Sequence, residues 1–128
     1  MKRLLVFLFA ALLVLTGCRG KNTTELTYQQ ITQEKAKEMM DSQDVVILDV
    51  REQAEFAGRH IPDAVLLPVG TISKDTAASV IPNQDSMVLV YCRSGNRSKS
   101  ASESLAALGY TDIREFGGIN DWPYEVVK

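Results

Sequence analysis

One stretch of the chain, CRSGNR from Cys92 to Arg97, concentrates groups able to do chemistry. A thiol closes the apolar run VLVY; two arginines and a glycine follow, then a serine-rich segment of helical character. Where a loop leaves a strand and enters a helix, the first helical amides lack intrahelical partners and carry partial positive charge. Gly95 lets the backbone curl so that several N–H groups point inward, and such a nest binds anions. A thiol at its centre is expected to be favoured as thiolate, the nucleophilic form, by those amides and by Arg93 or Arg97 where they lie close. Ser94 and Asn96 are expected to contribute amides rather than side chains. A buried, inert cysteine is the bland alternative. A second apolar run, VVILDV, carries Asp49 near its end, with Arg51 just beyond. Arg51 is expected to pair with Glu55, four residues on.

The elements that must position these groups alternate between strand and helix. ITQEKAKEMMDS reads as a helix with Thr32 as its cap and Ala36, Met39 and Met40 on one face. VVILDV, residues 45–50, is a continuous apolar run ended by a carboxylate, as in a strand buried on both faces of a parallel sheet. EQAEFAG reads as a short helix, AVLLPV (64–69) as a strand, and TISKDTAASVIP as a loosely formed helix closed by Pro82. SMVLVYC (86–92) is a strand. SKSASESLAALGY is a helix with Gly109 suited to the left-handed position past its end. TDIREF is a final strand, and GGINDWP a turn with a short helical or irregular segment; Phe116 and Trp122 are expected in the core. The pattern predicts a single α/β domain with a mostly parallel sheet and helices on both faces. Ligands bind beyond the carboxyl ends of such strands, so Asp49, Arg51 and Cys92 are expected near one edge.

The N-terminus has a different character. Lys2 and Arg3 precede twelve apolar residues, Leu4 to Leu15, and then Thr16, Gly17 and Cys18. This is the pattern of a secretory signal, and its apolar run is too short to span a bilayer, which takes roughly 20 residues. LTGC is similar to the lipobox of bacterial lipoproteins, which implies a lipidated Cys18; a plain secretory signal or an uncleaved anchor are the alternatives. The expected organisation is a signal over 1–17, the lipidated cysteine and a polar tether over 18–25, and the domain over 26–128. The domain would sit outside the cytoplasm, held to the cell envelope by its lipid. Removing residues 1–17 leaves 111 of the 128 residues, enough for one core. It also leaves 12 basic residues against 16 acidic ones, a net charge of −4 that gives no global attraction for nucleic acid. With Cys18 lipidated, Cys92 is the only free thiol and has no intramolecular disulfide partner. His60 is the only histidine, and without a second histidine or a cysteine cluster no metal site is expected.

Five pieces in order resemble the rhodanese (thiosulfate sulfurtransferase) domain: Asp49 to Arg51, Arg59 to Ala64, Cys92 to Arg97, Leu108 to Tyr110, and Gly117–Gly118 with Trp122. The resemblance covers roughly residues 26 to 124. Two positions depart from the family's pattern: Arg59 and Asp63 stand where glycines are usual. Both lie away from the loop, so a local backbone difference is expected there rather than lost chemistry.

The resemblance implies ping-pong sulfur transfer through a persulfide on Cys92, with no metal or organic cofactor. The partners implied are a small anionic donor, thiosulfate or a persulfide, and a thiol or cyanide acceptor. It makes Arg93, Ser94, Gly95, Asn96 and Arg97 the substrate cradle and Asp49 and Arg51 its supports. Arg97 is expected to pair with an acid such as Asp49 and hold the loop in shape. His60 is expected to be structural. Cysteine-based phosphatases and arsenate reductases are the enzymatic rivals. The phosphatase loop is Cys-x5-Arg, whereas here the spacing is Cys-x4-Arg and Ser98 takes the phosphatase position. A loop one residue shorter favours sulfur over phosphate. The other rival is a sulfur carrier or docking module. Nothing in the sequence calls for an obligate partner, so a monomer is expected.

Overall fold

The computed structural model describes residues 27–128. The expected signal (1–17), the Cys18 lipidation position and the tether (18–25) lie outside the described residues. Five parallel strands form one sheet in the order β1-β5-β4-β2-β3. They are β1 (Gln29–Gln30), β2 (Val46–Asp49), β3 (Val65–Leu66), β4 (Met87–Cys92) and β5 (Asp112–Gly118). Four helices connect them: α1 (Gln33–Ser42), α2 (Gln53–Gly58), α3 (Lys74–Val80) and α4 (Asn96–Ala107). The expected fold class is the one observed.

The central strand β4 shows why the sequence folds this way. Its side chains alternate between two apolar layers, as the two-residue period of a strand requires. Val88, Val90 and Cys92 face one core with Ala77 of α3 and Ala101 and Leu105 of α4. Leu89 and Tyr91 face the other core with Ala36 and Met39 of α1, Phe116, Ile119 and Trp122. Each fully buried aliphatic side chain contributes about 1.5–3 kcal/mol, so the sheet's centre is the most stable part of the domain.

Local signals set the boundaries. Thr32 caps α1, its hydroxyl accepting from the Lys35 amide at 3.1 Å. Gly109 takes φ 102°, as its place after α4 predicts. α3 is better defined than expected, because Ser73 and Thr76 form a reciprocal capping box. The strand expected over 64–69 shrinks to Val65–Leu66; Pro68 has no N–H to donate, and the chain turns into a short 3-10 segment, Val69–Thr71. β1 has no counterpart in the sequence reading: two exposed glutamines carry no apolar alternation, and their pairing with β5 is a matter of backbone alone. α4 begins at Asn96, earlier than the serine-rich segment suggested, and this puts Asn96 and Arg97 in its first turn.

Candidate active site

Cys92 is the last residue of β4, and α4 starts four residues later. Between them Gly95 adopts φ 108°, a left-handed conformation that costs glycine nothing and turns its amide inward. That amide donates to the Cys92 sulfur at 3.0 Å. The thiol is 1 % exposed and is the free cysteine of the described residues. Of the amides expected to point inward, that of Gly95 reaches the sulfur.

The glycine pair of β5 forms the floor. A Cβ on Gly118 would lie 2.6 Å from the Ser94 nitrogen and closer still to the Arg93 carbonyl. The Arg93 carbonyl is also held by the Asn120 amide at 3.1 Å. Gly117 takes φ 92°, and its Cα lies 3.5 Å from where a Cβ on Gly95 would be. Only glycines let the loop approach β5 this closely. The β4–β5 register shifts between Val90 and Cys92, so β5 spends one extra residue at this point, beside its two glycines.

The two ion pairs around the loop exchange the partners expected from sequence. Arg51 pairs with Asp49, not Glu55: its Nε and Nη2 reach the carboxylate at 3.0 and 2.7 Å, and both side chains are buried. The Arg51 Nη2 also donates to the Arg59 carbonyl, and the Tyr91 hydroxyl donates to Asp49 at 2.7 Å while accepting from the Ile61 amide. Burial works against the Arg51 charge, but the bond to Asp49 outweighs it and holds the proton more firmly. Burial first, and then the bond to Asp49, push the Tyr91 hydroxyl's pKa up. Arg97 pairs with Glu55, not Asp49, through two parallel bonds of 2.7 and 2.9 Å. The reason is position: Asp49 is sealed under the sheet's edge, while the first turn of α4 faces α2. The Arg97 bond pulls the Glu55 carboxyl down to about 2. The bond to Glu55 holds the Arg97 guanidinium as a cation against its partial burial. Asp49 thus joins Arg51 to Tyr91, the residue before Cys92 in β4, and Arg97 ties the first turn of α4 to α2.

Of the expected substrate-binding residues, Gly95 touches the thiol directly. Arg93 is exposed and lines a cleft of about 260 Å³ with Arg51, Ala54, Glu55, Arg59 and Asn120. Ser94 and Asn96 are exposed, and their side chains make no hydrogen bond among the described residues. His60 stacks on Phe56 at 3.9 Å, and its Nδ1 lies 2.9 Å from the Phe56 carbonyl, so its position is structural. Asp63 takes φ 65°: it keeps the left-handed backbone for which glycine is usual, and aspartate is among the few residues that tolerate it. Arg59, at φ −169°, is simply extended; contrary to expectation it does not lie away from the loop, because its backbone is drawn to Arg51 and it shares the cleft with Arg93. Phe116 and Trp122 are in the core.

Two residues of the site escaped the sequence reading. Ser98 lies 3.4 Å from the Cys92 sulfur and donates to Glu115 Oε1 at 2.7 Å. Glu115 is 3 % exposed and also accepts from the Gly117 amide at 2.8 Å. The signals were present. Ser98 and Ser102 are spaced i, i+4 on the face of α4 that buries Ala101 and Leu105, and Glu115 falls on the strand face of Ile113.

A buried thiol at the carboxyl edge of a parallel sheet, held by a left-handed glycine amide where a helix begins, defines a class of α/β proteins with a thiol-bearing strand–loop–helix. Residues 32–124 match the rhodanese-like domain family, and the chain belongs to it. Among relatives, the thiosulfate sulfurtransferase PspE of Escherichia coli is 32 % identical over 81 residues, covering 63 % of this chain and 77 % of that protein. A sulfurtransferase of Allochromatium vinosum is 40 % identical over 88 residues, 68 % of this chain and 79 % of its own. The solved structure of a rhodanese with anions from E. coli superposes with a TM-score of 0.62 at 30 % identity, covering 66 % of this chain and 99 % of that one.

Proposed function

We propose that the protein is a sulfurtransferase that carries sulfane sulfur as a persulfide on Cys92. The observation that carries this reading is the Gly95 amide 3.0 Å from a thiol buried at a helix start. In the first half-reaction the Cys92 thiolate attacks the outer sulfur of thiosulfate. The sulfur–sulfur bond of the donor breaks, and sulfite leaves with the electron pair. In the second, cyanide or a thiolate attacks the terminal sulfur, the bond to Sγ breaks, and the Cys92 thiolate returns. Oriented amides that favour negative charge at sulfur lower both barriers.

An anionic donor fits the surroundings. Arg93 and Arg59 line the cleft beside the loop, and neither makes an ion pair among the described residues. The relatives named as thiosulfate sulfurtransferases, and the E. coli rhodanese with anions, support the same donor class. Phosphoryl chemistry is disfavoured by the short loop and by Arg97, which is already committed to Glu55. The chain is further proposed to be a monomer held to the cell envelope by lipid on Cys18, on the strength of the N-terminal pattern LTGC.

The test is thiocyanate formation from thiosulfate and cyanide, with Cys92→Ser expected to be inactive. Mass spectrometry should find about 32 Da added at Cys92 after exposure to a sulfane donor. A wild-type protein with neither property would end the reading. Cys18→Ala should move the protein from the membrane to the soluble fraction; retention at the membrane would count against the anchor.

A further inference from the structure

The carboxylate behind the thiol has no part in the reaction as written. Burying a carboxylate is costly unless it is hydrogen-bonded, and an apolar residue at 115 would suit the layer beneath α4 better. Glu115 nevertheless sits there. Its Oε1 accepts from the Ser98 hydroxyl at 2.7 Å and from the Gly117 amide at 2.8 Å. Ser98 has one proton. While that proton is given to Glu115, the hydroxyl oxygen is free to accept the Cys92 S–H, 3.4 Å away. The three groups form one directed chain, and the Gly95 amide approaches the sulfur as a separate donor.

We propose that Glu115 takes the Cys92 proton through Ser98, and that this proton is exchanged on a different side of the loop from the one substrate enters. The step balances. The thiol proton moves to the Ser98 oxygen as the serine proton moves to Glu115 Oε1, leaving a thiolate and a neutral carboxylic acid. The chain of bonds then points the other way: Glu115 donates to Ser98, and Ser98 donates to the thiolate. No net charge is created in the buried layer, which removes the main cost of ionising a thiol there. When the acceptor removes sulfur and the thiolate returns, the proton can run back along the same bonds.

Two clefts flank the loop and share no residue. The first carries Arg51, Arg59 and Arg93. The second, of about 400 Å³, is lined by Ser94, Gly95 and Lys99 on one wall and by Gln33, Glu115 and Asp121 among others across from them. Glu115, 3 % exposed, lines the second cleft. The charged and titratable groups around Glu115 are Lys99 of α4 and Asp121 after β5 within that cleft, Tyr28 before β1, and Cys92. Glu103 of α4 and Arg97 act at one remove, on Tyr28 and on Cys92. Glu115 is thus a positioning and proton-holding residue that reaches the sulfur through Ser98.

The proposal rests on Cys92 as nucleophile, yet its test needs no sulfur donor. The full chain is treated with iodoacetamide across pH, and alkylation of the peptide containing Cys92 is followed by mass spectrometry. Glu115→Gln keeps an oxygen for Ser98 and Gly117 but accepts no proton. Its Cys92 should be alkylated at least about tenfold more slowly near pH 7, and at the wild-type rate near pH 10, where hydroxide replaces the carboxylate. Ser98→Ala, which removes the link, should behave the same way if the glutamine variant does not fold. Alkylation in either variant as fast as wild type or faster near pH 7 would overturn the relay, since a carboxylate that merely repels the thiolate gives that sign. A deficit that persists at high pH would also overturn it, reducing Glu115 to a packing role. Sulfurtransferase failure with a normal alkylation profile would instead count against the proposed function alone.

Discussion

Replacing Gly118 with alanine tests whether the loop's closeness to β5 makes the site. The new methyl would lie 2.6 Å from the Ser94 nitrogen and nearer still to the Arg93 carbonyl. Carbon contacts settle at about 3.5–4.0 Å, so the loop would have to retreat by on the order of 1 Å. The atoms in the way are backbone, so no side chain can swing aside. That retreat strains the Asn120–Arg93 bond of 3.1 Å and drags the Gly95 amide from the sulfur. Overpacking costs about 1–3 kcal/mol, and the weakened hydrogen bond adds about 1 kcal/mol. A 1 Å misplacement at a reacting centre can cost about a hundredfold in rate. Gly118→Ala should therefore lose about 2–4 kcal/mol in denaturant unfolding and about a hundredfold in thiocyanate formation. Gly58→Ala is the control: nothing lies within 4 Å of its added methyl, it is helical, and alanine there should be neutral or stabilising by up to about 1 kcal/mol. A Gly118→Ala protein with stability and turnover near wild type would refute the argument that loop and strand are in obligatory contact.

The ion pairs make predictions of their own. Glu55 is held at about 2 against an ordinary 4.5, so its pairing stabilises the fold above about pH 4.5, and that stability is lost as pH falls toward 2. Glu55→Gln should remove this dependence; the pair is partly solvated, so about 1 kcal/mol is expected in acid titrations of unfolding. Asp49→Asn leaves Arg51, only 3 % exposed, without its countercharge and should cost about 3–5 kcal/mol in chemical denaturation. Tyr91→Phe removes the hydroxyl shared by Asp49 and Ile61 and should cost about 1–3 kcal/mol in the same assay.

Continuous apolar runs made β2 and β4 legible, helical spacing did so for α1 and α4, and the strand–thiol–glycine–helix order made the cradle legible with them. β1 was invisible because a two-residue pairing of exposed glutamines depends on where β5 lies, not on its own side chains. The ion-pair exchange was out of reach for a similar reason. Spacing of four within one helix suggests partners, but Arg51 lies before α2 begins, and its side chain folds back to Asp49. The Arg97–Glu55 pair spans 42 residues, so only the placement of α2 beside the start of α4 makes it visible. Glu115 was readable in principle. A charge in phase with Ile113 on a central strand conflicts with burial, and such conflicts mark functional positions.

α2 buries none of its residues. Apolar packing does not fix it beside the cleft; the Arg97–Glu55 pair, the capping box and the backbone around Arg59 do. In terms of native-state fluctuations, α2 therefore belongs to the low-stability end of the molecule, well below the sheet. Its amides should exchange with solvent by local opening while β4 remains protected. The cleft beside the loop is then as wide as the ion pair allows at a given salt concentration and pH. On the proposed function, an acceptor too bulky for this cleft would meet a wall held by electrostatics, and ionic strength would become a variable of substrate size.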